Sequence, residues 1–177
     1  MDDGGAGGGG LWAVGRRKQP RRMATCPRPR FDGEVHAGVL IVDSQWAEAV
    51  AGTFDGLLEA GFPIKSVRPV SDYNADDDRS MADNNTSGFN CRPVGGSNRW
   101  SQHSYGLAID INPIQNPYVH DGVVEPPAGH QFVDRSSGAA GLIVEGDAVV
   151  GVFDTIGWKW GGRWSEPDYQ HFSVPGR

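Results

Sequence analysis

Apolar residues recur at Trp46, Val50, Phe54, Leu57 and Leu58, and this spacing predicts an amphipathic helix. Asp43 or Ser44 can cap its start, and Gly61 can stop it. Upstream, Val39-Leu40-Ile41-Val42 is a short apolar run that reads as a strand or as the lead into that helix. Ile64 to Val70 reads as a further strand, broken at Pro69. From Tyr105 to Asn112 the period shortens to two. Leu107, Ile109 and Ile111 point one way, and Gly106, Ala108, Asp110 and Asn112 the other. A second helix begins at Asp147, carries Val149, Val150, Phe153 and Ile156 on one face, and ends at Gly157. A Trp/Gly-rich turn over 157–164 and a strand over 169–174 complete the chain. Strands mixed with two helices, without regular βαβ alternation, predict an α+β fold with a small antiparallel sheet.

The polar stretch 71–88 reads as a solvated loop. Asp72, Asn74, Asp76 and Asp78 alternate like the start of a calcium loop. However, Asp77 stands where the sharp-turn glycine belongs, and Asp83 stands where the closing glutamate belongs.

At 177 residues the chain has the length of one domain. It holds no apolar run near the ~18 residues that a spanning helix needs. Its charge of −6 averages two unlike parts: residues 1–30 carry +5, and residues 31–177 carry −11. The acidic body excludes broad binding to a phosphate backbone, so no nucleic-acid partner is expected. Residues 1–30, rich in Gly, Arg and Pro, are expected to form a disordered basic extension, with the domain proper over 31–177. The basic cluster Arg16 to Arg22 is not followed by an apolar stretch, so no export signal is read there. A basic arm touching an anionic polymer, and a later start at Met23, are the other readings of this segment. The compartment stays open. Cys26 and Cys91 do not have metal-ligand spacing, and no disulfide follows from sequence. Cys91, between Asn90 and Arg92, is expected to be a buried free thiol.

Three polar residues stand where a packed strand would normally refuse them. Asp110 lies between Ile109 and Ile111, His103 precedes it by seven positions, and His171 lies in the terminal strand. Burying an unpaired carboxylate is expensive, and a bound cation is one of the few remedies. Two imidazoles and a carboxylate leave a fourth position open, the arrangement of catalytic rather than structural zinc. Asp168, three residues before His171, can stand beside the metal as a proton shuttle. Arg92 offers a cation for an anionic substrate group or a developing oxyanion. Taken singly, each of these residues has a structural reading: a hydrogen-bonded histidine, a strand-end cap, an arginine paired with one of many acids. His36, His120 and His130 read as surface residues, and Trp158, Trp160 and Trp164 as packing.

Together they resemble a family. Ser101-Gln102-His103-Ser104-Tyr105-Gly106-Leu107-Ala108-Ile109-Asp110 fits the SxHxxGxAxD motif of the M15 zinc peptidases, the D-alanyl-D-alanine carboxypeptidase and L-alanyl-D-glutamate endopeptidase group. Asp168-Tyr169-Gln170-His171-Phe172 fits that family's second motif, in the Asp form of the endolysin-like branch. The segments 85–92, 112–113 and 157–162 look like the same branch. The resemblance implies the Hedgehog/DD-peptidase fold and one zinc ion on His103, Asp110 and His171. It also implies Asp168 as general base and Arg92 polarising the scissile carbonyl or binding substrate. Ser101 and Ser104 would support the ligands by hydrogen bonds. The implied substrate is a peptidoglycan stem peptide, cut by carboxypeptidase or endopeptidase action, and the implied state is a monomer. Two other functions fit the same residues: a non-catalytic cell-wall-binding or regulatory domain that keeps zinc for stability, and a peptidase for a peptide antibiotic or a non-wall dipeptide.

Overall fold

Two nine-residue strands, β1 (Arg21–Pro29) and β2 (Val35–Asp43), pair as an antiparallel hairpin in the computed structural model, which describes residues 20–95 and 97–174. The register sets Ala24 against Leu40 and Cys26 against Gly38. Ala24, Cys26, Leu40 and Val42 are all buried, so one face of the hairpin joins the core beneath α1 (Ala47–Glu59). This corrects the placement of residues 1–30 outside the fold: from Arg21 onward they belong to it, and residues 1–19 lie outside the described residues. The inward side chains of β1 are Ala24, Cys26 and Arg28, two small residues and one charged one. Its place in the fold comes from the ladder with the apolar β2, not from its own hydrophobicity.

Helix α1 buries Val50, Thr53, Phe54 and Leu57. It starts after Trp46 without a side-chain cap; Asp43 instead takes the Gln45 N–H (2.8 Å) in the turn leading in. At its end Phe62 N–H bonds Leu57 O and Gly61 N–H bonds Leu58 O, closing the last turn around Gly61. The strand expected over 64–70 shrinks to β3 (Ser66–Val67), because Pro69 leads into a 3₁₀ turn at Val70–Tyr73. The stretch 71–88 is not simply a loop. It contains that turn and α2 (Asp77–Ala82), whose N-cap Asp76 accepts the Arg79 N–H (3.1 Å), followed by β4 (Asn85–Thr86). The acidic run thus serves as cap and first helical turn, where negative charge is favourable.

The second half centres on β5 (Ala108–Asp110). Two short strands, β6 (Tyr118–His120) and β7 (Val123–Glu125), form a hairpin at the side. Helix α3 (Ala148–Thr155) is capped by Asp147, which accepts the Val150 N–H (2.9 Å). Its Phe153 stacks on Phe172, ring centres 4.1 Å apart. Strands β8 (Lys159–Trp160) and β9 (His171–Ser173) join β5 in an antiparallel sheet ordered β5-β9-β8. The α+β class holds, but among the described residues the strands form four small sheets rather than one, and the β3–β4 pair is parallel. No helix among the described residues is long and apolar enough to cross a membrane.

Both cysteines are free, yet Cys91 is exposed rather than buried. The extended backbone turns Asn90 inward, and its neighbour at 91 faces out. Burial pushes the Cys26 thiol up to about 12. A thiol reagent at pH 8 should therefore titrate one cysteine, Cys91, in the native protein and two after denaturation. Rapid native reaction of both thiols would show that β1 does not pack as described.

Candidate metal centre

Asp110 ends β5 with a neighbouring segment on each edge. It exchanges hydrogen bonds with Ser87 (2.9 and 3.0 Å) on one side and stands in register with His171 of β9 on the other. Cross-strand partners on one face lie close enough to touch, and His171 Nδ1 is 2.9 Å from Asp110 Oδ1. His103 arrives from a 3₁₀ turn, Gln102–Tyr105, whose N-cap Ser101 accepts the His103 N–H through Oγ (3.2 Å). The turn closes at Gly106 with φ +71°, and a Cβ there would lie 2.5 Å from Asp43 N. Only glycine meets both conditions. This geometry sets His103 Nε2 3.1 Å from Asp110 Oδ2 and 3.3 Å from His171 Nδ1. On the far side of the ring, His103 Nδ1 donates to Gly88 O (2.6 Å), which leaves the Nε2 lone pair facing the cluster.

All three side chains are buried. Burial alone would raise the Asp110 carboxyl, but the two imidazoles outweigh it and hold the group well below the usual carboxylate range. Burial lowers the His103 imidazole, and Asp110 more than reverses that, leaving it raised. For His171 burial prevails over Asp110, and the imidazole stays below its ordinary value. Among the described residues, one ligand atom from each of His103, Asp110 and His171 lies within 4.8 Å of the others. Atoms bound tetrahedrally at ~2.0–2.1 Å from a zinc ion stand about 3.3 Å apart. The separations above match that spacing. Two nitrogen acceptors facing each other across a carboxylate suit a divalent cation better than they suit one another.

Asp168 stands beside this cluster without belonging to it. Its N–H bonds Gly161 O (3.1 Å), its carbonyl accepts the His171 N–H (3.2 Å), and its backbone bridges to Tyr118. A Cβ on Gly161 would lie 2.7 Å from Asp168 O and 3.2 Å from the His171 Cβ, so a side chain there would push both residues out of place. Asp168 Oδ1 is buried with no hydrogen-bond partner. Burial raises this carboxyl well above 3.8, the charge of Asp110 adds to the rise, and His103 and Arg92 oppose it. A desolvated carboxyl of this kind can both take and return a proton.

Arg92 is held rather than free. Its Nη2 pairs with Asp77 Oδ2 (2.7 Å), and Asp77 Oδ1 accepts from Asn90 Nδ2 (2.8 Å). Its positive charge still acts on His103, Asp168 and His171. Ser104 Oγ donates to Arg92 O (2.7 Å) and accepts the Arg92 N–H (3.0 Å), so Ser101 and Ser104 both hold backbone and touch neither imidazole ring. His36 and His120 lie elsewhere, half-buried beside Asp32 and Glu125 respectively, and His130 is exposed. Trp158 and Trp160 are core residues, whereas Trp164 lies 5.4 Å from the His171 ring and walls the site. Sequence reasoning also passed over the Gly88 carbonyl and Asp77. A backbone acceptor leaves no mark in a sequence, and Asp77 was one acid in a run of acids.

Residues 95–174 match a family model described as D-alanyl-D-alanine carboxypeptidase, one of the M15 peptidases. The match spans all three cluster residues and Asp168, and stops short of Arg92 and everything before it. No curated protein and no solved structure matches the chain.

A carboxyl whose folded-state value is raised costs stability as pH climbs from the unfolded value near 3.8 through the folded one. Asp168→Asn should therefore raise the thermal midpoint of chelator-stripped protein by a few degrees at pH 7, with the gain shrinking as the pH is lowered toward 4. Equal midpoints at pH 7 would contradict a desolvated, ionisable Asp168.

Proposed function

From the match of residues 95–174 to the D-alanyl-D-alanine carboxypeptidase model, we propose that the chain is a zinc-dependent peptidase of the M15 family cutting a peptide bond in peptidoglycan stem peptides. The observation that carries this reading is the buried His103–Asp110–His171 cluster with an unpaired carboxylate, Asp168, beside it. Two nitrogens and one carboxylate oxygen favour zinc over magnesium or calcium, which prefer all-oxygen sites. Three protein ligands leave a position for substrate and water. The Asp at 168 and the flanking segments support the endolysin-like branch and the Hedgehog/DD-peptidase fold.

Zinc in this site supplies Lewis-acid polarisation of the scissile carbonyl and lowers the pKa of the attacking water. Asp168 accepts a proton from that water on its carboxylate and returns it to the departing amine nitrogen. Desolvation suits it to both halves of the transfer, because it neither holds the proton too weakly nor is paired with a permanent cation. Arg92, anchored by Asp77, presents its guanidinium to the substrate's carbonyl oxygen or terminal carboxylate. A metal kept for stability alone would leave the buried, unpartnered Oδ1 of the half-buried Asp168 without a purpose, since such a group destabilises the fold it sits in.

Asp168→Asn should keep one zinc per chain and lose hydrolysis of defined muropeptides about 10²–10⁴-fold. Mass spectrometry of the products names the bond: free D-Ala for carboxypeptidase action, an L-Ala/D-Glu cut for endopeptidase action. Full activity of the variant, or wild-type turnover unaffected by a chelator, would overturn the mechanism.

A further inference from the structure

Arg21, in β1, precedes the family match by more than seventy residues, yet it touches both peptide segments that meet at His103. Its Nη2 donates to Ser104 O (3.1 Å), inside the 3₁₀ turn that carries His103. Its guanidinium carbon lies 3.8 Å above the centre of the Phe89 ring. Phe89 directly follows Gly88, whose carbonyl accepts the proton of His103 Nδ1. One planar cation therefore spans the turn bearing the ligand and the segment bearing the acceptor that orients it. Stacking on an aromatic face while donating to a carbonyl is a pairing that guanidinium makes readily.

The base of this brace is fixed. Arg21 pairs with Asp43 across the β1–β2 ladder, Ser44 N–H bonds Pro20 O, and Asp43 N–H bonds Gly106 O at the end of the His103 turn. On the other segment Phe89 N–H bonds Ile41 O in β2. The hairpin thus supplies the floor on which both segments lie, and Arg21 is the side chain that joins them from above.

We propose that Arg21 is a positioning residue for the metal centre, holding the His103 turn and the Gly88–Phe89 segment at the separation that aims His103 Nε2 into the cluster. The proposal rests on the metal-site reading given above and extends it to a strand outside the family match. Groups that orient metal ligands typically change affinity 10–100-fold when removed. Arg21 acts one contact further out, so about a three- to ten-fold effect is expected.

The test is zinc affinity of the full chain, measured by competition with a chromophoric chelator, for wild type, Arg21→Ala and Arg21→Lys. Thermal midpoints of the stripped proteins are recorded alongside. Arg21→Ala should bind zinc about three- to ten-fold more weakly. Arg21→Lys, which keeps a cation over the ring and an N–H donor, should recover most of the loss. Equal affinity of wild type and Arg21→Ala overturns the proposal. So does a fall in the stripped midpoint of Arg21→Ala with no change in affinity, because that is the mark of a purely structural contact. Failure of the wild type to bind zinc would instead sink the underlying metal-site reading, so the two failures are distinguishable.

Discussion

Asp110 places an ionised carboxylate in the interior, 2.9 Å from one imidazole and 3.1 Å from another, and much of the molecule follows from keeping that arrangement in place. A buried charge without partners is costly by several kcal/mol, so the three side chains are tolerable only as a set. Their mutual position is a matter of register. Asp110 faces His171 because β5 and β9 pair at that residue, and a slip of one position would turn one of the two to the opposite face of the sheet. Phe172, packed on Phe153, and Ile109, buried behind the sheet, hold the register by hydrophobic contact. The two glycines that matter most act at the same place. Gly106 lets the His103 turn press against β2, and Gly161 lets the Asp168 turn press against His171.

The site divides the chain into parts with different tasks. Residues after 95 supply the His103–Asp110–His171 cluster and Asp168 beside it. Earlier elements supply support: the Gly88 carbonyl orients His103, Asp77 in α2 anchors Arg92, and the β1–β2 hairpin underlies both. The charge division changes accordingly. Residues 1–30 carry a net +5, but Arg21 and Arg28 within them are structural members of the hairpin, and only residues 1–19 fall outside the described fold.

Both longer helices were legible from their apolar periods, and at Asp147 the cap agrees with the period of Val149, Val150 and Phe153. Strand β1 was not, because its inward residues, Ala24, Cys26 and Arg28, are small or charged and form no apolar alternation. Its burial comes from the partner strand, which no local window contains. Helix α2 escaped notice because six residues cannot show a period. The His103–Asp110–His171 cluster was readable because its residues sit in two short motifs with fixed spacing, one on a turn leading into a strand and one on a strand. What lay beyond those motifs depended on tertiary contact. Trp164 reaches His171 only once β8 and β9 pair, and Cys91 faces solvent only because Asn90 is drawn inward by Asp77 and His103.

An X-ray absorption spectrum of the zinc-reconstituted protein addresses the centre most directly, since it reads the ligands themselves. The account predicts a four-coordinate zinc with two imidazole nitrogens, one carboxylate oxygen and one solvent-derived oxygen. Loss of one imidazole shell should follow in His103→Ala. A spectrum showing sulfur ligation, a site closed by four protein ligands, or no stoichiometric metal at all would contradict it.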